Sequence, residues 1–385
     1  MEENTAVAEE SVSAAQVGEA AIPPKKKKRH INRQKLQDNL WGWAFCIPLI
    51  VGTVWFIYAA LIMALLLSFT NYSLGGATKE TLMDFLGNLG DHIYTTLPKD
   101  ADGFVIPGAT PIREPFHWYA QIFTMKDSTA TGIFMSEAGR HLFNTVFYMI
   151  GIPIGMILAM FFAVCMSRDI RGGNVFRVLY YIPCVASTIS IVYTFKLMFA
   201  STGVMNGILG TDNLEWLYAT HSWNSLLGKT GKSNFMNDPF WCQGFLAKCV
   251  IVIMSVWKGL GGTIILYVAG LSGVNSATKE AAQIDGANSW KIFWKVMMPD
   301  LYPTIFYNIV TSVIGGLQIY TEPVLLMGGE SALTSGYVSL IWRYGLDTGR
   351  GTAYPSAGAA YGMLLAIIIF ALTLFQFWLD SRKKD

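Results

Sequence analysis

Charged residues are scarce in this chain. Asp, Glu, Lys and Arg make up only 14% of the 385 residues, whereas a soluble globular domain carries about a quarter. The hydrophobic fraction of 52% excludes a wholly disordered chain, because disorder requires low hydrophobicity. The formal net charge is only +2, so no strong field of one sign points to nucleic acid as a partner. The composition therefore predicts a polytopic membrane protein.

Cysteine and histidine are also few, with five of each. No Cys-x-x-Cys pair occurs, and the histidines have no metal-ligand spacing. We interpret the cysteines as small apolar residues in or beside the apolar runs. The sequence accordingly predicts no metal site and no cofactor bound by this chain.

Complete catalytic motifs are absent as well. Two Gly-Lys-Thr/Ser sequences, at 228–230 and 231–233, resemble the end of a phosphate-binding loop, but Trp223 and Leu226 stand where its first glycine is required. No serine-hydrolase elbow, zinc-protease motif or paired-carboxylate site is found either. We therefore expect a chain that is not itself an enzyme, with any ATP hydrolysed by another polypeptide.

Long apolar runs dominate what remains. A bilayer core requires about 20 mostly apolar residues per helix. Six stretches qualify, at about 43–69, 142–166, 175–199, 249–271, 304–326 and 356–379. Helices are expected because the alternating pattern of a barrel strand is missing and lipid offers the backbone no partner. The predicted fold class is all-α, with six transmembrane helices across a domain at 39–385.

Lysine and arginine set the predicted orientation. If the six helices alternate, the basic clusters at 25–35, 168–177, 279–295 and 382–384 all lie on one side, which the positive-inside rule makes cytoplasmic. Both termini are then cytoplasmic, and segments 70–141 and 200–248 are external. Residues 1–38 are predicted to be a disordered basic tail. Its lysines could bind nucleic acid or act as an import signal, but attraction to anionic lipid explains them more simply.

One predicted cytoplasmic loop, at 276–303, has unusual local structure. Good helix formers precede Gly286, which permits a sharp break in the backbone. Asn288 or Ser289 can cap a second short helix that is rich in tryptophan and phenylalanine, and Pro299 is expected to end it and begin the next span. The pattern predicts either an exposed knob or a helix that lies passively in the membrane interface.

This loop resembles the EAA loop of permease subunits from binding-protein-dependent ABC importers. The family pattern is Glu-Ala-Ala, three residues, Gly, nine residues and Ile-x-Leu-Pro. Here Glu280-Ala281-Ala282, Gly286 and the sequence from Val296 to Pro299 occur at those spacings, with Val for Ile and Met for Leu. Further segments at 176–183, 206–209, 315–320 and 327–329 are similar to the carbohydrate-importer permeases of the maltose-transporter type.

The resemblance implies partners and roles. A second permease subunit would pair with this one in a bacterial cytoplasmic membrane, and an extracellular solute-binding protein would deliver the solute. Two copies of a cytoplasmic ATPase would bind ATP and Mg²⁺, and each would receive one permease loop as a coupling helix. The implied coupling residues are Glu280, Ala281, Ala282, Asp285, Gly286 and Pro299.

The resemblance also implies a substrate path lined by the fourth and fifth helices. The matching positions are Trp257, Gly259, Ser312, Gly316 and Gln318. Indole faces, amides and hydroxyls suit a sugar loosely, although such residues also pack or bond within ordinary helix bundles. Lys258 and Glu322 are costly in a membrane, and we expect no ion pair between them because their assigned depths differ.

The function predicted from the sequence is therefore a permease subunit that forms half of the path for an oligosaccharide in an ATP-driven importer. An importer of a non-sugar solute and an ion-driven secondary carrier remain as alternatives. A membrane-embedded transferase is disfavoured, because the chain lacks clustered acids or histidines.

Overall fold

The structure is a computed structural model that describes residues 33–72, 87–88, 90, 93, 95–96, 112–124, 136–167, 173–211, 214–217, 244–329, 333–350 and 353–382. The chain divides into two units, Met1–Ala60 and Leu61–Asp385. The lysine-rich run at 25–29 and the two Gly-Lys sequences at 228–233 lie outside the described residues.

The first described element is α1 (Arg33–Thr53), followed by a π-helical turn (Val54–Tyr58) and α2 (Ala59–Leu67). The predicted tail of 1–38 was too long, because α1 already begins at Arg33. Residues 33–38 read Arg-Gln-Lys-Leu-Gln-Asp, and most of these are good helix formers that extend the apolar helix toward its N-terminus. The large apolar side chains of the helix from Trp41 onward are exposed, as lipid contact requires.

The remaining elements are almost all helical, and the predicted all-α class is confirmed. A short antiparallel pair, β1 (Thr95–Thr96) and β2 (Ile112–Arg113), precedes α3 (His117–Thr124). The helices that follow are α4 (Glu137–Met149), α5 (Gly151–Met166), α6 (Gly173–Val185), α7 (Thr188–Met198), α8 (Val204–Leu209), α9 (Phe245–Ser272), α10 (Ser276–Ile284) and α11 (Ser289–Ile292). A second π-helical turn (Phe293–Met297) leads into α12 (Met298–Leu317), and α13 (Thr321–Met327), α14 (Val338–Gly345), a 3₁₀ turn (Thr348–Arg350) and α15 (Pro355–Ser381) complete the chain.

Four of the described helices are long and apolar enough to cross a membrane, at Trp41–Leu67, Glu137–Met166, Phe245–Ser272 and Pro355–Ser381. Two further spans are broken. Val175–Val185 and Thr188–Met198 meet at 95°, and Ser289–Leu317 and Thr321–Met327 meet at 46°. Counting each bent pair as one span gives six, and the third and fifth helices are not the straight rods that the sequence predicted.

Each break has a local cause. Pro183 lies inside α6 and Ser187 precedes α7, so the first helix is weakened before the second begins. In the fifth span, α12 ends at Leu317 and α13 begins at Thr321. Pro323 lies in the first turn of α13, where its missing N–H requires no helical partner.

Among the described residues of the second unit, the core consists of three apolar clusters. One joins α4, α7, α9 and α13 around residues such as Phe195 and Met254. Another joins α3, α4, α12, α14 and α15 around Tyr337 and Tyr361. The last joins α5, α9 and α12 around Tyr267. Helices α4, α9 and α12 belong to two clusters each, so they link the three clusters to one another.

Polar side chains along α4 form hydrogen bonds with the segment between the fifth and sixth spans. Glu137 accepts hydrogen bonds from Arg343 and, at 2.6 Å, from the Tyr344 hydroxyl. Asn144 donates to the Ser335 carbonyl at 3.0 Å, and Tyr148 donates to that of Thr334. The sequence did not predict this arrangement, since α14 has only eight residues and no apolar run.

Candidate functional site

A cavity of about 460 Å³ lies among α4, α5, α6, α9, α12 and α13. Its wall combines small residues, such as Gly155 and Gly259, with hydroxyl and amide groups from Ser255, Thr263 and Gln318. The small residues leave room for a ligand, and the polar groups offer hydrogen bonds to it. A concave site of this size with a few converging polar groups is typical of small-molecule recognition.

Four of the five predicted substrate-path residues lie together in this wall, namely Gly259, Ser312, Gly316 and Gln318. Trp257 is not among the lining residues. Its ring packs instead against Phe195, with 5.6 Å between the ring centroids. Because residues two apart on a helix point about 200° apart, Trp257 and Gly259 lie on opposite faces of α9. Which of these faces lines the cavity depends on the rotation of the helix, and the structure places Gly259 there.

Gly316 contributes close packing rather than open space. A Cβ atom there would lie 3.1 Å from both Ile152 and Met149. Gly261, on the neighbouring α9, is more tightly constrained, because a Cβ atom would lie 2.1 Å from the backbone oxygen of Tyr180. These glycines let the helices around the cavity approach closely.

An ion pair occupies the wall of the cavity, and the expectation that it would not form was wrong. The Lys258 ammonium donates to the Glu322 carboxylate at 2.7 Å and to the Thr188 hydroxyl at 2.9 Å. The expected difference in depth assumed a straight fifth helix. The break at 318–320 instead makes Glu322 the second residue of the separate helix α13, which brings its side chain to Lys258.

The second candidate site is the loop at 276–303, which is called the EAA loop below because of the resemblance described above. Asn275 caps α10, since its side-chain oxygen accepts from the Ala277 N–H at 2.9 Å. At the other end, Gly286 has φ +76°. The Gly286 N–H donates to Gln283, and the Ala287 N–H donates to Ala282, both at 3.0 Å. These two bonds form a Schellman motif, in which a left-handed glycine ends the helix.

Pro299 was expected to end the second short helix and to begin the next span, and only the second part agrees with the structure. From α11 the chain continues through the second π-helical turn into α12, and Pro299 lies in the first turn of α12. The wider turn before Pro299 accommodates a residue that has no N–H to donate. Asn288 is the residue that precedes α11, although its side chain makes no capping bond.

The predicted coupling residues lie on the surface of the second unit. Glu280, Ala281, Asp285, Gly286 and Pro299 are exposed, and Ala282 is half-buried. None of the residues of α10 is buried, and Ile284 is 87% exposed. A compact helix pair with an exposed acid and an exposed aliphatic side chain has the form of a docking element rather than of a packed core.

Aromatic residues give α11 and its π-helical turn an apolar side. Trp290, Phe293 and Trp294 contact one another with ring centroids 5.3–6.4 Å apart. They line an apolar cavity of about 860 Å³ together with residues of α5, including Phe161. The apolar side of the helix pair therefore faces α5 across this cavity, while α10 remains exposed.

The chain belongs to the family of binding-protein-dependent transport system inner membrane components, whose profile matches residues 151–385. It is 29% identical to the lactose transport system permease LacF of Rhizobium radiobacter, over 63% of this chain and 75% of that protein. It is 30% identical to the arabinooligosaccharide permease AraP of Bacillus subtilis, over 63% of this chain and 72% of AraP. It is 24% identical to the probable ABC transporter permease YesP of the same species, over 94% of this chain and 97% of YesP.

The fold is also similar to a solved structure. A chain of a bacterial alginate ABC transporter, crystallised with an alginate-pentasaccharide-bound periplasmic protein, matches with a TM-score of 0.61 at 18% identity. The match covers 91% of this chain and 96% of that one. The polytopic helical fold is thus shared with a chain of that transporter.

Glu322 and Thr188 were not predicted as cavity residues. A signal for Glu322 does exist in the sequence, because Thr321-Glu322-Pro323 has the composition of a helix start, with Pro in the first turn. Thr188 follows the Pro183 and Ser187 break in the same way. Reading these breaks as helix starts would have placed each residue beside the bend of its span.

Proposed function

We propose that this chain is one permease subunit of an ATP-driven importer, and that it forms half of the translocation path for an oligosaccharide. A second permease subunit forms the other half, and an extracellular solute-binding protein delivers the sugar. ATP and Mg²⁺ bind on two separate cytoplasmic ATPase subunits, so this chain is not an enzyme. It lies in the cytoplasmic membrane with both termini inside the cell.

The cavity among α5, α9 and α12 is the observation that carries this proposal. It provides a polar, concave wall within a bundle of apolar helices, where hydroxyl-rich solutes need hydrogen-bonding partners. Relatives named for lactose and arabinooligosaccharide transport support a sugar as the solute.

The EAA loop supplies the connection to the motor. In this proposal Glu280 and the exposed Ile284 contact the ATPase, and Gly286 fixes the angle between α10 and α11. Because α11 continues into α12, a displacement of the loop moves a helix that lines the cavity. Rigid-body motion of this kind is an ordinary route for switching a packed helical interface.

Purification tests the assembly and the energy source together. We expect the tagged chain, extracted in mild detergent, to co-purify with a second permease and an ATPase carrying its own phosphate-binding loop. In nanodiscs with the binding protein, ATP hydrolysis should rise when the preferred oligosaccharide is added. A matched preparation with the ATPase lysine of that loop replaced should show no hydrolysis and no uptake.

Two results would contradict the proposal. One is uptake into vesicles that follows an imposed ion gradient without ATP, which would favour the secondary carrier. The other is an assembled ATPase complex that responds to a non-sugar solute and to no member of a saccharide panel. This result would support an ATP-driven importer, but one whose substrate is not a sugar.

A further inference from the structure

The Lys258–Glu322 pair joins three helices across the cavity wall. Lys258 comes from α9, Glu322 from α13, and Thr188, which also accepts from Lys258, from α7. The Lys258 and Glu322 side chains are 26% and 19% exposed. Both charges therefore remain partly accessible from the cavity instead of being sealed into the core.

These two residues determine the charge of the cavity. Among the described residues that line it, only Lys258 and Glu322 are charged, and their charges are opposite. The remaining polar lining groups are hydroxyls and the amide of Gln318, together with backbone atoms. The wall consequently has no net charge while it keeps strong donors and acceptors.

Such a wall suits neutral polyhydroxyl ligands. The ammonium of Lys258 has three N–H donors, of which two point at Glu322 and Thr188, and the carboxylate of Glu322 has several acceptor positions. A sugar hydroxyl both donates and accepts, so it can bond to either partner without separating them. A sugar carboxylate would be repelled by Glu322 or would have to displace it from Lys258.

We propose that the Lys258–Glu322 pair is a specificity-determining element that admits uncharged saccharides and discriminates against saccharides that carry carboxylates. This inference rests on the proposed function, because it names the class of sugar that the cavity takes. The effect of the pair is a difference in affinity between two ligand classes, and the excluded class is disfavoured by the like charge of Glu322.

Cys184 allows the cavity charge to be measured directly. Its thiol is exposed and lines the same cavity. In the assembled complex, with the other four cysteines replaced by serine, we would measure its modification rates with anionic and cationic methanethiosulfonate reagents. Glu322→Gln should raise the ratio of anionic to cationic rates by roughly tenfold, and Lys258→Met should lower it by a similar factor. The double variant should return to the wild-type ratio.

The same variants then test selectivity. We would add maltotriose or trigalacturonate and measure protection of Cys184 from a neutral maleimide. Wild type should be protected by the neutral trisaccharide, and Glu322→Gln should become protected by trigalacturonate at roughly tenfold lower concentration than wild type. Glu322→Asp, which keeps the charge, is the matched control and should retain the wild-type preference.

The possible outcomes distinguish a failure of the specificity role from a failure of the proposed importer function. Unchanged rate ratios and unchanged protection in the single variants of an assembled complex would overturn the specificity role while leaving the importer intact. If Glu322→Gln does not assemble, the double variant Lys258→Met/Glu322→Gln decides, because it removes the carboxylate without leaving a lone charge. Exclusion of trigalacturonate that is unchanged in the double variant would overturn the specificity role. A wild-type complex that no saccharide protects or stimulates would overturn the proposed function itself.

Discussion

The cavity wall and the EAA loop are built in opposite ways. The wall brings together residues from Tyr148 to Glu322, contributed by helices that are far apart in the sequence. The loop is held by bonds between near neighbours, from the Asn275 cap to the Schellman motif at Gly286. A site of the first kind depends on how whole helices pack, and a site of the second kind depends on a few backbone angles.

Two glycines show the difference between these regions. Gly261 is required because another backbone passes close by, with the Tyr180 oxygen 2.1 Å from the position of an added Cβ. Gly286 has nothing within 4 Å of that position, but its φ of +76° is a conformation that side chains disfavour. The first glycine serves tertiary packing, and the second serves the local turn.

Replacing Gly261 should therefore have the largest effect on stability. We expect Gly261→Ala to force α9 away from α6 and to destabilise the folded chain by about 3 kcal/mol. Thermal unfolding of the purified complex in detergent would measure this as a lowered midpoint. Gly259→Ala is the matched control on the same helix, since its added Cβ meets nothing within 4 Å. Equal midpoints for the two variants would contradict close helix packing at Gly261.

Replacing Gly286 should affect coupling more than stability. Gly286→Val places a β-branched residue in the left-handed region, at a cost of about 1–2 kcal/mol, and the loop relieves this by changing the angle between α10 and α11. We expect the complex to assemble with a near-normal unfolding midpoint, but with less sugar transported per ATP hydrolysed.

The control for this variant is Gly286→Asn, because asparagine tolerates left-handed angles better than other side chains. It should retain most of the wild-type ratio of transport to hydrolysis. If the valine and asparagine variants couple equally well, the angle at Gly286 does not determine coupling, and the proposed role of the loop would need another basis.

The contrast between the regions also explains what the sequence could predict. The length of each apolar run located the spans, and the motif spacing located the break at Gly286, because both are local properties of the sequence. The bends of the third and fifth spans were missed, since length says nothing of direction. With the fifth helix assumed straight, Lys258 and Glu322 were placed at different depths and their pairing was rejected. The rotation of a helix is likewise set by tertiary packing, and the structure places Trp257 against Phe195 and not in the cavity wall.

The smallest expected effect lies at the start of the EAA loop. Asn275→Ala removes the side-chain acceptor of the Ala277 N–H, a change that costs about 1 kcal/mol at a helix N-terminus. Since none of the residues of α10 is buried, packing cannot compensate, and the first turn should fray. Amide hydrogen exchange at 277–279 should quicken roughly fivefold, while the unfolding midpoint of the complex stays unchanged.

Asn275→Asp preserves the acceptor and should exchange like wild type. Equal exchange in the alanine and aspartate variants would mean that α10 is held by contacts with a partner and not by its own cap, and the loop would then share the tertiary character of the cavity wall.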